Sequence, residues 1–293
     1  CCNPIASIEL KNKQLSIQHP NGERTSETLK ADTNIPERIH QFSQQFESEN
    51  YPFKFISNGI FGYIAHDAVA HFENLELNQE KEGLDIPEIY YAVYQNIIAI
   101  SLFNHEAHLF SHVYNEQHNI ETIEQLLEAK NSTRFSFEKV GAKTSNLTDE
   151  EYLKFVDQGK QHCFRGDVFQ LVLSRRFSQK FKGDEFNVYR TLRSINPSPY
   201  LFFFDYGDFK IFGSSPEAQI IVEEGKAEIH PIAGTFKRTG NDEHDKQAAL
   251  ELAKDPKENS EHVMLVDLAR NDLSRNGSEV VVEKNREVQF FSH

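Results

Sequence analysis

Turn-forming dipeptides divide much of this chain into short alternating stretches, and this pattern constrains the fold most. Residues 4–18 alternate apolar and polar side chains around Asn12-Lys13, which predicts a β-hairpin. The same kind of signal recurs farther along the chain and predicts more antiparallel pairing. These later turn dipeptides are Asn104-His105, Gly207-Asp208 and Glu224-Gly225.

Helical patterns occur between the hairpins without regular βαβ alternation. Thr148 followed by Glu151 matches a capping box and predicts a helix that ends near Gly166. Two more helices are predicted at 242–254 and 257–271. Because a doubly wound parallel sheet needs a helix after nearly every strand, this order predicts the α+β class instead. Further strands are predicted at 168–177, 278–283 and 286–291.

A polar segment divides the chain into two regions. Residues 131–147 lack a periodic pattern and contain Gly141, so we interpret them as a connection. The first predicted region covers residues 1–130, and the second covers residues 148–293.

The overall charge argues against nucleic acid as a partner. The 293 residues carry a formal net charge of −14, whereas phosphate binding requires a basic face. No apolar run reaches the roughly 18–20 residues that a membrane span requires. We therefore expect no nucleic acid and no membrane among the partners of this protein.

The cysteines indicate a reducing environment. Cys1, Cys2 and Cys163 follow neither the spacing of a metal site nor an even disulfide framework. Free thiols are typical of a reducing compartment, and the first residues lack the charged and apolar segments of a signal peptide. We expect a soluble, cytoplasmic protein.

The predicted helix at 257–271 carries carboxylates on an otherwise apolar face. Glu261, Met264, Leu265 and Leu268 share this face, and Glu258 lies one turn earlier on the same side. A carboxylate in such a place is costly unless it is paired or binds a metal. Two carboxylates at positions i and i+3 could hold Mg²⁺, which prefers oxygen ligands and keeps several waters. From spacing alone, an ion pair with Lys or Arg and a frayed helix start are open alternatives.

Two turns are candidates for ligand contact. The FGSSPE segment at 212–217 lies between predicted strands, where a turn can present backbone N–H groups to an anion. Its Glu217 could act as a general acid if burial favours the protonated form. In the PIAGT segment at 231–235, Gly234 permits close approach of the backbone to a ligand, and Thr235 adds a hydroxyl donor. Both segments are also compatible with plain structural turns.

Taken together, these segments resemble those of the chorismate-utilising enzymes. FGSSPE at 212–217, PIAGT at 231–235, KENSEH at 257–262 and DLARND at 267–272 stand in the order found in that family. The resemblance is strong in the second region and softer in the first. It implies a fold of two stacked, largely antiparallel β-sheets with flanking helices.

Within that family, the chain is most similar to anthranilate synthase component I. Gln170 stands where isochorismate synthases carry a lysine that activates water, and a neutral amide cannot serve as that base. Ala233 stands where aminodeoxychorismate synthases typically carry a lysine that is thought to form a covalent intermediate. Pro199, Tyr200 and Leu201 resemble a segment that helps to bind tryptophan for feedback inhibition, although Leu201 replaces the more familiar Met.

The resemblance also implies a reaction. Mg²⁺, held by Glu261 with Glu258 as a direct or nearby ligand, would anchor the ring carboxylate of chorismate. Glu217 would protonate the departing ring hydroxyl as ammonia attacks the ring. Elimination of pyruvate would then leave 2-aminobenzoate (anthranilate). The remaining roles that the resemblance implies are substrate contacts by Ser214, Gly234 and Thr235, and catalytic positions at Gln170 and Thr235.

The resemblance implies partners as well. Ammonia would come from a glutamine amidotransferase subunit, component II, since this chain shows no amidotransferase nucleophile motif. L-Tryptophan would act as an inhibitor. Residues 1–130 would be the N-terminal region of anthranilate synthase component I, and residues 148–293 the N-terminal part of its chorismate-binding catalytic domain. Because the family continues well beyond residue 293, we expect a chain truncated at both ends. Aminodeoxychorismate synthase component I and an inactive fragment are the alternatives.

Overall fold

The computed structural model divides the chain into two compact units. Unit 1 is Cys1–Ser132 and unit 2 is Thr133–His293. The structure describes all residues except 31, 50–52, 54, 76, 78–83, 116–117, 130–134 and 291–293.

Unit 1 is built on one six-stranded sheet. The predicted hairpin at 4–18 is confirmed, and Asn12 and Lys13 in its turn have φ angles of 52° and 62°. The strands are β1 (Cys2–Lys11), β2 (Gln14–Gln18), β3 (Arg24–Thr28), β4 (Ile60–Ile64), β5 (Ile89–Ser101) and β6 (Glu106–Ser111). They lie in the order β3-β2-β1-β5-β4, with β6 also paired to β5.

One face of this sheet carries the core of unit 1. Ile8 and Leu10 are fully buried on β1, because alternate residues of a strand point to the same face. Helix α1 (Ile35–Ser43) adds Ile35 and Phe42 to the same cluster. A second helix, α2 (Ile120–Glu128), follows the sheet in sequence.

Unit 2 combines two-stranded sheets with helices. Its elements are β7 (Phe137–Ser145), α3 (Asp149–Arg165), β8 (Phe177–Gly183), α4 (Phe186–Ile195), β9 (Tyr200–Asp205), β10 (Lys210–Ser215), β11 (Ile221–Glu223), β12 (Lys226–Glu228), α5 (Asp242–Lys254) and α6 (Pro256–Asn276). The pairs are β7-β8, β9-β10 and β11-β12. Every pair described in either unit is antiparallel, so the predicted α+β class with largely antiparallel sheets is confirmed. In the described part of the chain, no helix is both long and apolar enough to cross a membrane.

The segment predicted as a connection contains a strand. Within 131–147, strand β7 pairs with β8, and the register shifts between Val140 and Thr144. Gly141 lies in this shift with a φ of +71°. Such a bulge interrupts the alternation of side chains along a strand, which explains why the sequence lacks a strand-like period there.

The strands predicted at 168–177, 278–283 and 286–291 are wrong. The structure describes these residues except 291, and only Phe177, at the start of β8, has strand geometry. A strand is defined by hydrogen bonds to a neighbour. The described residues supply no such neighbour to these segments, so their apolar, strand-like composition does not produce a strand.

Candidate functional site

The first turn of α6 is positioned by a complete N-terminal cap. The Asp255 side chain accepts hydrogen bonds from the backbone N–H groups of Lys257 and Glu258, at 2.8 and 3.1 Å. Pro256 occupies the first helical position, where its missing N–H costs nothing. This cap fixes where the helix begins and therefore where Glu258 and Glu261 lie.

Glu258 and Glu261 are two half-buried carboxylates that have no cationic side chain beside them among the described residues. Each is partly shielded from solvent. Among the described residues, no Lys or Arg side chain forms a salt bridge with either one. The ion-pair alternative is therefore not realised within the described residues. Partial burial of unpaired carboxylates is unfavourable, so this face of α6 is suited to a cationic ligand.

Gly234 lies directly against Glu258. Its φ of +72° is in the left-handed region, and a Cβ built there would be 2.9 Å from Glu258 Oε2 and 2.8 Å from Leu252 Cδ1. Both distances are shorter than real Cβ contacts, so a larger residue would be strained by this backbone conformation and would displace the ends of the Glu258 and Leu252 side chains. The fold thus seats the PIAGT segment on the helix that carries the predicted metal ligands.

The two carboxylates fit Mg²⁺ better than a metal that needs a full protein cage. Within the part of the chain that the structure describes, no group of three or more His, Cys, Asp or Glu residues is arranged to hold a metal. Mg²⁺ is commonly bound through one or two carboxylates, with waters and substrate oxygens as further ligands. Glu258 and Glu261 could supply such a pair.

The β9-β10 hairpin brings the predicted tryptophan-binding segment next to a predicted substrate contact. Leu201 is the register partner of Ser214, and Tyr200 is the partner of Ser215. The Ser214 hydroxyl donates to the Asn196 carbonyl at 2.6 Å, which ties β10 to the loop after α4. The hydroxyl proton of Ser214 is therefore already engaged in a hydrogen bond to the backbone. Pro199 immediately precedes this hairpin and is exposed.

Glu217 lies in an exposed turn after β10. The Ser215 hydroxyl donates to the Glu217 carbonyl at 2.8 Å and accepts from the Glu217 N–H at 3.2 Å. These bonds hold the backbone of Glu217, while its side chain is exposed. The burial that would favour a protonated general acid is not supplied by the described residues, and this role stays a prediction.

Gln170 lies in a segment without regular secondary structure that follows α3. The neighbouring Leu171 and Leu173 approach the backbone of α3 at Gly159, where a Cβ would be 3.6 Å from each side chain. Gln170 itself is exposed. No hydrogen bond or ion pair of the described residues joins Gln170 or Glu217 to the Gly234–Glu258 contact.

Three residues that sequence reasoning missed hold the segment after Thr235. The Asp245 carboxylate accepts hydrogen bonds from Arg238 Nε at 3.0 Å, from the Thr239 N–H at 2.8 Å and from the Thr239 hydroxyl at 2.9 Å. In the sequence, Asp245 looks like one of several acidic residues in the first turn of α5. Only its burial, with 5% of its surface exposed, distinguishes it.

Comparison with known proteins identifies the family. A model of the chorismate binding enzyme family matches residues 3–293. The chain therefore belongs to the chorismate binding enzymes, as the order of its motifs predicted.

The individual relatives belong to two enzymes of this family. Anthranilate synthase component 1 from Aquifex aeolicus is 36% identical over 255 residues, which are 80% of this chain and 51% of the relative. Aminodeoxychorismate synthase component 1 from Bacillus subtilis is 32% identical over 305 residues, 99% of this chain and 63% of the relative. The crystal structure of anthranilate synthase component I from Streptococcus pneumoniae superposes with a TM-score of 0.75 at 28% identity, covering 100% of this chain and 65% of that one. The chain thus spans between half and two thirds of the length of these relatives.

Proposed function

We propose that this chain is the chorismate-binding part of an anthranilate synthase component I. The observation that carries the proposal is the contact between Gly234 and Glu258, because it joins two family motifs into one surface. The reaction would convert chorismate and ammonia into 2-aminobenzoate and pyruvate. A glutamine amidotransferase subunit would supply the ammonia, and the product would enter tryptophan biosynthesis.

Two half-buried carboxylates support a role for Mg²⁺ in this proposal. Glu261 would hold the ion, with Glu258 as a direct or neighbouring ligand. Mg²⁺ bound there would supply positive charge for the ring carboxylate of chorismate. Gly234 allows the backbone to approach the substrate closely, and the Thr235 hydroxyl can donate to a substrate oxygen.

The remaining roles follow the chemistry that the reaction needs. Glu217 would donate a proton to the departing ring hydroxyl. Because the neutral amide of Gln170 cannot activate water, ammonia would be the nucleophile. Ser214, at the end of strand β10, would contact the substrate. On the paired strand, Tyr200 and Leu201 would contact L-tryptophan as an inhibitor, together with the preceding Pro199.

Product analysis tests the proposal. The chain is incubated with chorismate, Mg²⁺ and ammonium salt at mildly alkaline pH, and products are separated by chromatography with mass detection. Full-length anthranilate synthase component 1 from Aquifex aeolicus is the positive control. Calorimetry measures chorismate binding in parallel. We expect Mg²⁺-dependent chorismate binding, with 2-aminobenzoate as the only aminated product if turnover occurs. Absence of binding, or formation of isochorismate, would overturn the proposal.

A second candidate is aminodeoxychorismate synthase component I. It is favoured by the Bacillus subtilis relative, which matches 99% of this chain. It predicts 4-amino-4-deoxychorismate as the product. Ala233, half-buried and adjacent to Gly234, is the residue that should discriminate, because a lysine there could form a covalent intermediate. Ala233→Lys should therefore impair formation of 2-aminobenzoate by a complex that has this activity, and an unchanged rate would show that this position does not govern product choice.

A further inference from the structure

Asp245 is the one buried charged residue of the described chain. Its surface is 5% exposed. The hydrogen bonds from Thr239 first, and then Arg238, hold the pKa of this carboxyl below its ordinary value. Asp242, one turn earlier, has an 88% exposed side chain and is 3.9 Å from Arg238. Asp245 is therefore the buried carboxylate of this arrangement, and Asp242 is an exposed second one near the same arginine.

The bonds of Asp245 act on a segment that has no regular structure of its own. Residues 229–239 form neither helix nor strand, and Gly234 and Thr235 lie within them. Asp245 binds Arg238 and Thr239 close to the beginning of α5. Near the end of α5, Leu252 contacts the backbone at Gly234. The helix therefore holds the segment at two places, which are about 10 Å apart along its axis.

This two-place attachment restricts where Gly234 can lie. Five peptide units separate Gly234 from Thr239, and an extended chain of that length reaches about 17 Å. With Thr239 released, Gly234 would be free to move away from Glu258 by several ångströms. With Thr239 held, Gly234 can lie no farther than this reach from the start of α5, and in the structure the segment runs along α5 to the Glu258 carboxylate.

We propose that Asp245 is a positioning residue for the ligand site, acting through Arg238 and Thr239 to hold Gly234 and Thr235 against Glu258. It does not touch the ligand itself. The choice of chorismate as the ligand rests on the proposed function, whereas the position of Gly234 can be measured without any ligand.

The test uses Asp245→Asn with two matched controls. Asn keeps an acceptor for Thr239 and removes the charge that Arg238 pairs with. Asp242→Asn removes an exposed acidic group near the same arginine. Asn241→Ala removes the N-cap of α5, whose side chain accepts from the N–H groups of Glu243 and His244, and leaves the bonds of Asp245 in place.

Two readouts separate positioning from general stability. Amide NMR follows the Gly234 and Thr239 signals, and calorimetry measures the Kd for chorismate with Mg²⁺. In Asp245→Asn we expect faster Thr239 exchange by about tenfold, in line with the loss of a charged hydrogen bond. The Gly234 signal should shift, and chorismate affinity should fall. Both control variants should retain the Gly234 signal and the affinity, although Asn241→Ala also weakens α5.

Each result decides the proposal. An unshifted Gly234 signal in Asp245→Asn, or an equal shift in Asn241→Ala, overturns it. Unchanged chorismate affinity in Asp245→Asn also overturns it if the unmodified chain binds chorismate. If the unmodified chain does not bind chorismate, the proposed function fails, and the Gly234 signal alone decides the role of Asp245. Signals from the β9-β10 hairpin report whether each variant is folded.

Discussion

The two units differ in how far they bury their apolar side chains. In unit 1, Ile8, Leu10 and Phe42 are 0%, 0% and 1% exposed. In the described part of unit 2 no hydrophobic side chain is buried, and Phe164 and Phe169 are 94% and 92% exposed. Unit 1 is therefore stabilised by full apolar burial, whereas the described residues of unit 2 pack aromatic rings at partly exposed positions, among them Phe186, Phe203 and Phe212, alongside caps and polar contacts.

The candidate site lies in unit 2, whose described residues include no fully buried apolar side chain. Gly234 and Glu258 are brought together by helix capping at Asp255 and by the hydrogen bonds of Asp245. Hydrogen bonds are directional, so they can fix a backbone segment without filling a core. The comparison predicts that core substitutions will damage unit 1 and that single polar substitutions will damage the site in unit 2.

The largest expected effect tests the core of unit 1. Phe42→Ala should lower the free energy of unfolding of unit 1 by about 3–5 kcal/mol, because it leaves a cavity in a packed cluster. Phe164→Ala in unit 2 should change stability by less than about 0.5 kcal/mol, since this side chain is exposed. Unfolding in urea is monitored by amide exchange, with β5 as the reporter for unit 1 and α3 as the reporter for unit 2. Similar losses for both variants would contradict the comparison.

A charge change tests the polar site of unit 2. Glu261→Gln should weaken Mg²⁺ binding in the presence of chorismate by at least about 10- to 100-fold, because changing a residue that only hydrogen-bonds to a metal ligand already costs that much. Glu251→Gln, on the exposed face of α5, is the matched control and should leave the affinity unchanged. Calorimetry with Mg²⁺ measures both. Near-normal affinity in Glu261→Gln would contradict the assignment of Glu261 as a Mg²⁺ ligand.

A pair of glycine substitutions sharpens the comparison further. Gly234→Ala and Gly225→Ala both place a Cβ on a left-handed residue, with φ of +72° and +79°, which costs about 1–2 kcal/mol. Only Gly234→Ala also meets Glu258 and Leu252, because nothing lies within 4 Å of a Cβ at Gly225. We expect similar backbone strain in both variants but a loss of chorismate affinity in Gly234→Ala alone. Equal affinities would show that the Gly234–Glu258 contact is not part of the site.

The smallest effect concerns helix capping in unit 2. Thr148→Ala should destabilise α3 by about 1 kcal/mol, because the Thr148 hydroxyl accepts from the Glu151 N–H. The reciprocal bond, from the Thr148 N–H to the Glu151 carboxylate, lowers the pKa of Glu151. Its stabilising contribution is therefore present above the ordinary glutamate pKa and is lost as pH falls through the lowered value.

Amide exchange in α3 at several pH values measures both halves of this capping box. Thr148→Ala should weaken protection at all pH values, and Glu151→Gln should remove the acid-dependent loss. An acid-dependent loss of the same size in Glu151→Gln would show that another group titrates.

Local sequence signals predicted helix starts and tight turns well. The predicted helix at 242–254 is observed as Asp242–Lys254, and the capping box at Thr148 is confirmed. The hairpin around Asn12-Lys13 is confirmed as well. These signals succeed because a cap or a two-residue turn is decided by groups within a few positions of each other.

Signals that depend on distant partners failed or were missing. The apolar segment at 168–177 resembles a strand but has no hydrogen-bonded neighbour among the described residues. Strand β7 was missed because its bulge at Gly141 breaks the alternation that would reveal it. Pairing is a property of two segments, and neither segment alone contains it.

The sequence by itself determined the family, the turns, the helix caps and which residue types could serve the site. Motif order and short-range hydrogen bonding are sufficient for these properties. Only the tertiary structure decided that Gly234 rests on Glu258, that both carboxylates of α6 lack a cationic partner among the described residues, and that Asp245 is buried. Contact and burial depend on which segments meet in space, and the pattern within a single segment does not contain that information.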